Sequence, residues 1–362
     1  MGILIQPAVA ADDAGIRALL DHEPMPGRIQ IAFLRKPRFV SEEELTGEPS
    51  LTLIARDDAS GQIVAMASRS VRRAFVNGVR RRIGYLSQLR IDTHYRGLWL
   101  VARGFKQFRK LQTEDPVSFN LASIVDNNTE ALGVLVRHAR QTFPRFREVA
   151  RLHTLAIRVP WHHRKIAGCA ISRATEDQLD RVASFLEANG KGRQFFQCWT
   201  ADGLRRLQPF GLAASDFFVA TRRGQFTGVM ALWDQRVFKQ TVVHQYPWWM
   251  RNTLPILNAL ARAGLPREGH PLRSAYAAMV CVAEEDTDVF HALLDAVLDE
   301  ACHRNLDHLL LGLDARDPLL KAASKARHTL YMSRIYSVEW PDECSEVEPF
   351  DERPVYVDVA ML

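Results

Sequence analysis

Residues 85–105, YLSQLRIDTHYRGLWLVARGF, combine backbone and side-chain groups that suit the binding of an anion. An apolar strand pattern ends in a short polar loop, after which Arg96 and Gly97 open an apolar helix pattern. The first turn of a helix presents free backbone N–H groups and the positive end of the helix dipole. The segment therefore predicts a site for a phosphate or a pyrophosphate. The alternative is an ordinary helix start in which Trp99 and Val101 pack into a core.

The same segment resembles the cofactor-binding motif of the GNAT N-acetyltransferase superfamily, a strand and a variable loop followed by Arg/Gln-x-x-Gly-x-Gly/Ala. In that alignment, the strand positions whose backbone pairs with the pantetheine arm are Leu89, Arg90 and Ile91. The loop that wraps the pyrophosphate corresponds to Arg96, Gly97, Leu98, Trp99, Leu100 and Val101. The opening IQPAVAADDAGIRALL is also similar to the family's first strand and helix. So is IVDNNTEALGVL, in which Asn128 and Ala131 match a common family motif. The resemblance covers residues 3–157 and implies that this half holds acetyl-CoA or another acyl-CoA.

Three positions depart from the family pattern. Trp99 and Val101 stand where the motif has small residues, and a large side chain there can obstruct the approach of the phosphates to the backbone. Leu135 stands where many members of the family have a tyrosine that protonates the departing thiolate. No general acid is therefore assigned, and the weaker candidates for proton transfer are Tyr85, Gln88, Asp92 and His138. A helix cap is the alternative role for Asn128, and a packed or surface position is the alternative for His138.

The reaction implied by the resemblance is a direct acyl transfer. An amine would attack the thioester of an acyl-CoA held between the fourth and fifth strands, while backbone N–H groups near Arg90 and Ile91 polarise the carbonyl. Positioning of the two reactants supplies much of the remaining rate enhancement. The sequence does not distinguish acyl chain lengths or specify the small-molecule amine acceptor. Two alternatives stay open: an inactive GNAT-like binding or scaffolding protein, and an acyltransferase that takes its acyl group from acyl carrier protein.

The elements expected to position this site alternate between strands and helices. In the first half we predict strands at 3–8, 51–56, 63–76, 79–91, 117–124 and 152–159, and helices at 11–20, 98–112 and 129–139. Asn77 and Gly78 predict a tight hairpin turn, because both residues tolerate a positive φ. Three consecutive antiparallel strands followed by two strand–helix units indicate a mixed sheet.

The second half repeats this order of elements. We predict strands at 171–174, 217–221, 229–233, 274–282, 308–313 and 331–340, helices at 176–188, 289–303 and 319–326, and an insertion at 244–271. The fold class is α/β of the α+β type, with two tandem GNAT-like domains whose mixed, mostly antiparallel sheets are flanked by helices. The predicted domains are residues 1–160 and 170–362, joined by a linker at 161–169. At the place of the phosphate loop the second half has Glu284, Glu285 and Asp286, which would repel a pyrophosphate, so we expect only the first half to bind CoA.

Composition narrows the class of partner. The 362 residues carry a formal net charge of +5, which suits an anionic cofactor but is too small to argue for nucleic acid. Two arginine clusters, at 72–73 and 80–82, flank the predicted hairpin turn; they could meet nucleic acid or an acidic carrier protein, or form a solvated edge. The five cysteines form no CxxC pair, and neither a metal site nor a disulfide framework is indicated. We expect a cytoplasmic protein without a signal peptide or a membrane span, possible as a homodimer.

Overall fold

A computed structural model describes residues 2–25, 29–137, 143–160, 170–260, 264–340 and 348–362. The predicted linker at 161–169 and the candidate His138 lie outside the described residues. The strands are β1 (Ile3–Pro7), β2 (Gln30–Leu34), β3 (Ser50–Asp57), β4 (Ile63–Val76), β5 (Val79–Ile91), β6 (Asn120–Val125), β7 (Arg145–Arg158), β8 (Ala170–Arg173), β9 (Phe217–Arg222), β10 (Gln225–Trp233), β11 (Gln240–Gln245), β12 (Ser274–Val282), β13 (His308–Asp314) and β14 (His328–Glu339). The α-helices are α1 (Asp13–His22), α2 (Glu42–Thr46), α3 (Leu98–Glu114), α4 (Thr129–Ala131), α5 (Leu179–Gly190), α6 (Ala201–Arg206), α7 (Trp248–Leu260), α8 (Thr287–His303) and α9 (Pro318–Ala323).

One large sheet runs through the whole chain. Within the described residues it has twelve strands in the order β1-β3-β4-β5-β6-β14-β7-β13-β12-β10-β9-β8. Only the pairs β5–β6 and β12–β13 are parallel, and the other neighbours are antiparallel. The predicted fold class is therefore confirmed: a mixed, mostly antiparallel sheet flanked by helices.

The two halves of the sheet repeat one local geometry. Strands β5 and β6 pair only where residues 84–86 face 120–122, and strands β12 and β13 pair only where residues 274–276 face 308–310. Beyond these short contacts each parallel pair diverges. In each half the strand before the divergence carries a residue with left-handed backbone, Gln88 at φ 57° and Met279 at φ 51°. The repetition predicted from the order of elements thus extends to the backbone at the site.

The halves also exchange their last strands. Strand β14, from the second half, lies between β6 and β7 of the first half. Strand β7, from the first half, lies next to β13 of the second half. Each half of the sheet is therefore completed by a strand of the other. The division into domains at residue 160 stays a prediction.

Most predicted elements in the first half are confirmed, and the differences have local causes. The turn at Asn77 and Gly78 has φ values of 51° and 77°, as a tight hairpin requires. The helix expected at 129–139 has a single α-helical turn followed by a π-helical segment, Leu132–Arg137. Strand β2 was not predicted, because the strand that pairs with it is β11, some 200 residues away in the chain, and periodicity cannot reveal a pairing between distant segments.

Candidate active site

A cavity of about 200 Å³ opens where β5 and β6 diverge. Its walls come from β3, β4, β5, β6 and α3, and from the turn after β6. Most of the lining is apolar; it includes Ala67, Val101, Gly104, Phe105 and Leu135. Helix α3 forms the floor of the cavity because Val101, Phe105 and Phe108 pack into the hydrophobic core with Ile124 and Leu135. An apolar slot of this kind can hold an extended chain with few polar groups.

A β-bulge in β5 reaches into this cavity. Ser87 faces Ser68 and Arg90 faces Met66, so Gln88 and Leu89 together face a single residue of β4. A bulge redirects side chains and interrupts the regular ladder of hydrogen bonds. Gln88 takes the left-handed conformation that residues other than glycine rarely adopt, and such positions cluster at functional sites.

A second cavity, of about 60 Å³, reaches the same bulge. It is bounded by Arg35, which follows β2, by Lys239, which precedes β11, and by residues 360–362. Ser68, Ser87 and Gln88 line both cavities. The two cavities therefore meet at the bulge, which gives this point of β5 access from two directions.

Cationic side chains are buried in the smaller cavity. Burial lowers the pKa of Arg35 to about 10 and that of Lys239 to about 7, and the neighbouring Arg35 charge lowers the pKa of Lys239 further. Lys239 donates hydrogen bonds to the backbone oxygens of Ala360 at 3.4 Å and Leu362 at 3.3 Å.

Tyr85 lines the smaller cavity and packs against a third cation. The guanidinium carbon of Arg72 lies 3.8 Å from the centre of the Tyr85 ring, and Arg72 forms an ion pair with Glu42. Burial raises the pKa of Tyr85 well above the ordinary value, so the phenol stays protonated at neutral pH. Tyr85 can therefore donate a hydrogen bond there but cannot act as a base.

The predicted phosphate loop has the expected backbone and an unexpected side-chain arrangement. Helix α3 starts after Gly97 without a side-chain cap, so its first N–H groups are not taken by a capping side chain. Arg96 instead forms ion pairs with Glu23 at 2.8 Å and Glu130 at 2.9 Å. Trp99 is 48% exposed, so the alternative that packs it into a core is wrong for this residue, whereas Val101 is buried.

The other predicted site residues are placed as follows. The larger cavity is lined by Gln88, Leu89, Arg90, Ile91, Leu100, Val101 and Asn128. The Asn128 side chain also caps the helix, because its oxygen accepts a hydrogen bond from the Ala131 N–H at 3.0 Å. Asp92 caps the next turn by accepting from the His94 N–H at 2.8 Å, and among the described residues it lines neither cavity.

The corresponding bulge in the second half is closed by the chain itself. The Met279 N–H donates to the Asp358 carboxylate at 2.7 Å, and the Val280 N–H donates to the Tyr356 hydroxyl at 2.8 Å. Asp286 caps α8 by accepting from the Val289 N–H at 3.1 Å. The acidic stretch thus has the capping role that acids favour at a helix start. Backbone N–H groups that match the bulge of β5 are already bonded in this half.

Several polar residues of the two cavities were missed by the sequence reasoning, among them Ser68, Ser87, Arg35 and Lys239. Ser68 and Ser87 lie within strands β4 and β5, and a serine also suits an ordinary position in a sheet. Arg35 directly follows β2 and Lys239 directly precedes β11, so the two residues are far apart in the chain. Only the tertiary fold brings them together, so no local spacing could have indicated them.

The basic hairpin is largely neutralised by neighbouring acids. Arg73 pairs with Glu48 at 2.5 Å, Arg82 pairs with Asp115 at 2.7 Å, and Arg80 pairs with Glu187. These pairs reduce the positive field that a nucleic acid or an acidic carrier would meet there.

Neither a metal centre nor a membrane-spanning helix is found in the described part of the chain. No group of three or more His, Cys, Asp or Glu residues is arranged there to hold a metal ion. No described helix combines the length and the apolar character needed to cross a membrane.

Comparison with solved structures identifies the fold. The chain is similar to Saccharomyces cerevisiae N-myristoyltransferase with bound myristoyl-CoA (TM-score 0.63, 11% identity, 93% of this chain and 82% of that one). It is also similar to a GCN5-related N-acetyltransferase from Sphaerobacter thermophilus (TM-score 0.56, 14% identity, 93% and 96%). A third neighbour is an Enterococcus faecalis protein of unknown function described as a probable N-acyltransferase (TM-score 0.53, 9% identity, 94% and 74%). The chain therefore has the GNAT fold over most of its length, which confirms the resemblance at the level of fold. No protein-family profile and no curated protein sequence matches the chain.

Proposed function

We propose that the protein is a CoA-dependent N-acyltransferase whose acyl-CoA occupies the cavity between β5 and β6. The single observation that carries this proposal is the meeting of two cavities at the bulge of β5. A transfer reaction needs two reactants that approach one point from different sides. The two cavities provide a separate approach to the bulge for each reactant. The fold neighbours named as N-acetyltransferase and N-myristoyltransferase support the same reaction class.

The proposed reaction places the thioester at Gln88 and Leu89. Backbone N–H groups of the bulge polarise the carbonyl, while the nitrogen of an amine enters from the smaller cavity and attacks the carbonyl carbon. The carbon–sulfur bond then breaks, and CoA leaves as the thiol after taking up a proton. The hydroxyl groups of Ser68 and Ser87 line both cavities and can relay a proton between the two sides.

The N-terminal half is the proposed CoA site because its slot is open and the other is closed. In the second half Tyr356 and Asp358 bond the equivalent backbone groups. At the entrance of the first-half slot, the uncapped start of α3 is available to the pyrophosphate. Arg96 lies at that helix start, and we propose that its side chain contacts the pyrophosphate. The pyrophosphate would compete for Arg96 with Glu23 and Glu130, which form ion pairs with it.

A cavity-filling variant tests the proposal directly. Gly104 lies on α3 and lines the larger cavity, and a Cβ added there meets no atom within 4 Å. Gly104→Leu should fill the slot without destabilising the helix, because leucine is a better helix former than glycine. Calorimetric titration with acetyl-CoA and octanoyl-CoA should show binding to the wild type, weakened at least tenfold by Gly104→Leu. Gln107→Leu, on the same helix but outside the cavity lining, should bind like the wild type.

The titration also separates the competing functions. Binding that is lost in Gly104→Leu alone supports the proposed site. Absence of binding by either acyl-CoA to the wild type would contradict it. A carrier-protein acyltransferase or a binding protein would then be the better account, and salt-sensitive binding of acyl carrier protein would distinguish the first of these from the second.

A further inference from the structure

The smaller cavity is lined by a buried guanidinium group, that of Arg35, which has a hydrogen-bond donor that the described residues leave unsatisfied. Arg35 follows β2 and is 6% exposed, and its Nη1 atom has no hydrogen-bond partner among the described residues. A buried donor without a partner is costly, and native structures rarely leave one unsatisfied. Because Arg35 lines the cavity, a bound acceptor group there would supply the missing partner.

The charge of the lining favours an anion. Its side chains include two cations, Arg35 and Lys239, and one carboxylate, Glu42. Glu42 is already paired with Arg72, and Lys239 is only 8% exposed. Asp358, the other acid close to Lys239, accepts hydrogen bonds from two backbone N–H groups, those of Met279 and Ala360. Among the described residues Arg35 therefore faces the cavity without a carboxylate partner, while Lys239 donates to the oxygens of Ala360 and Leu362.

The same cavity is also lined by a residue with a hydrogen-bond acceptor left unsatisfied in the described part of the chain, Gln235. The Oε1 atom of Gln235 is buried without a hydrogen-bond partner among the described residues, while its Nε2 atom donates to the Ala360 oxygen at 2.9 Å. A ligand that accepts from Arg35 and donates to Gln235 needs both an acceptor and a donor. An anionic group is the strongest acceptor for a guanidinium, and an N–H group can serve as the donor. The volume of about 60 Å³ limits the enclosed part of this ligand to a small polar group.

We propose that the acceptor is an amine that also carries a carboxylate, such as an amino acid. Arg35 and Lys239 bind the carboxylate, and the amine lies between Gln235 and the bulge at Gln88. The planar guanidinium of arginine matches the two oxygens of a carboxylate, which makes this anion the best fit. This inference rests on the proposed acyl transfer for its catalytic meaning, but the anion site can be tested without turnover.

The first test measures anion binding alone. Thermal unfolding is followed in 100 mM sodium acetate and in 100 mM acetamide with matched ionic strength. Acetate should raise the Tm of the wild type by on the order of 2 °C relative to acetamide, because a ligand that binds only the native state stabilises it. Arg35→Met and Lys239→Met should lose this difference, whereas Arg81→Met, on the exposed hairpin, should keep it. An equal effect of acetate on all four proteins overturns the proposal.

The second test measures the choice of acceptor. Release of the CoA thiol is followed with matched pairs of amines, such as L-leucine and L-leucinamide or L-lysine and L-lysinamide. The wild type should prefer the acids, and Arg35→Met should raise KM for the acids at least tenfold while leaving KM for the amides unchanged. Lys239→Met provides a second variant if Arg35→Met folds poorly.

The outcomes of the two tests separate this inference from the proposed function. Transfer to acids and amides with equal efficiency, unaffected by Arg35→Met, overturns the carboxylate inference and leaves the acyltransferase intact. An acetate effect that depends on Arg35 in a protein that binds no acyl-CoA supports the anion site and contradicts the acyltransferase.

Discussion

Gln88 holds a backbone conformation that its side chain makes unfavourable, at the point where the two cavities meet. We expect Gln88→Gly to stay within about 1 kcal/mol of the wild-type free energy of unfolding, because glycine adopts a positive φ freely. Gln88→Val should lose about 1–2 kcal/mol, because a β-branched side chain tolerates this conformation least. Urea denaturation of both variants measures the difference. Equal stability of the two would show that the bulge does not require a positive φ.

Lys239 should make the stability of the protein depend on pH. Its pKa falls from 10.5 to about 7 on folding, because burial and the neighbouring charges of Arg35 and Arg72 lower it more than the carboxylates of Asp358 and Glu42 raise it. The amine also lies 5.0 Å from the centre of the Tyr276 ring. Between about pH 7 and 10 the unfolded chain binds this proton and the native state does not, so the free energy of unfolding rises with pH. The contribution approaches about 1.4 kcal/mol per pH unit at most.

The comparison of Lys239→Met with the wild type measures this contribution. Other groups titrate alike in both proteins, so the difference in free energy of unfolding isolates Lys239. We expect the variant to be the more stable at pH 7 and to lose that advantage as the pH rises to 10. A difference that stays constant over this range would contradict the buried position of the amine.

At the scale of the element, the start of α3 is the proposed contact for the pyrophosphate, and Arg96 is its side-chain contribution. Arg96→Ala should weaken the binding of acyl-CoA about tenfold, because one charge-assisted hydrogen bond is worth about 1.5–3 kcal/mol before its competition with Glu23 and Glu130. The same variant should bind the corresponding acyl-pantetheine, which lacks the pyrophosphate, like the wild type. Calorimetry with both ligands measures this, and an equal loss for both would remove Arg96 from the pyrophosphate site.

We expect the segment at 348–362 to stabilise the second half without taking part in acyl-CoA binding. Tyr356→Phe removes the hydroxyl that accepts from the buried Val280 N–H, so the free energy of unfolding should fall by about 1–3 kcal/mol. Urea denaturation measures the loss, and titration with acyl-CoA should show an unchanged affinity. A variant that unfolds like the wild type but binds acyl-CoA more weakly would place this segment in the site instead.

The sequence predicted the elements of the site better than its side chains. Strand–loop–helix order indicated β5, the phosphate loop and α3, because each has a local periodicity and strong turn or helix-start residues. The partners of Arg96 could not be predicted, because Glu23 and Glu130 come from other elements. The same holds for Arg35 and Lys239, which only the β2–β11 ribbon brings together.

At the scale of the whole molecule, the exchange of β7 and β14 makes each half depend on the other. A fragment of residues 1–160 lacks the strand that lies between β6 and β7, and β7 also loses its partner β13. We expect this fragment alone to lack a cooperative unfolding transition, and co-expression with residues 161–362 to restore it. Circular dichroism during thermal unfolding measures the transition. Cooperative unfolding of the isolated fragment would show that the exchanged strands are not needed for folding.

The central claim is that acyl-CoA binds at the open bulge of the first half and not at the closed bulge of the second. Amide hydrogen exchange followed by mass spectrometry, with and without octanoyl-CoA, tests it most directly. We predict slower exchange in peptides that cover residues 84–101 and 120–125, and no change in peptides that cover 274–289. Slower exchange at 274–289 alone, or no change in either half, would contradict the account.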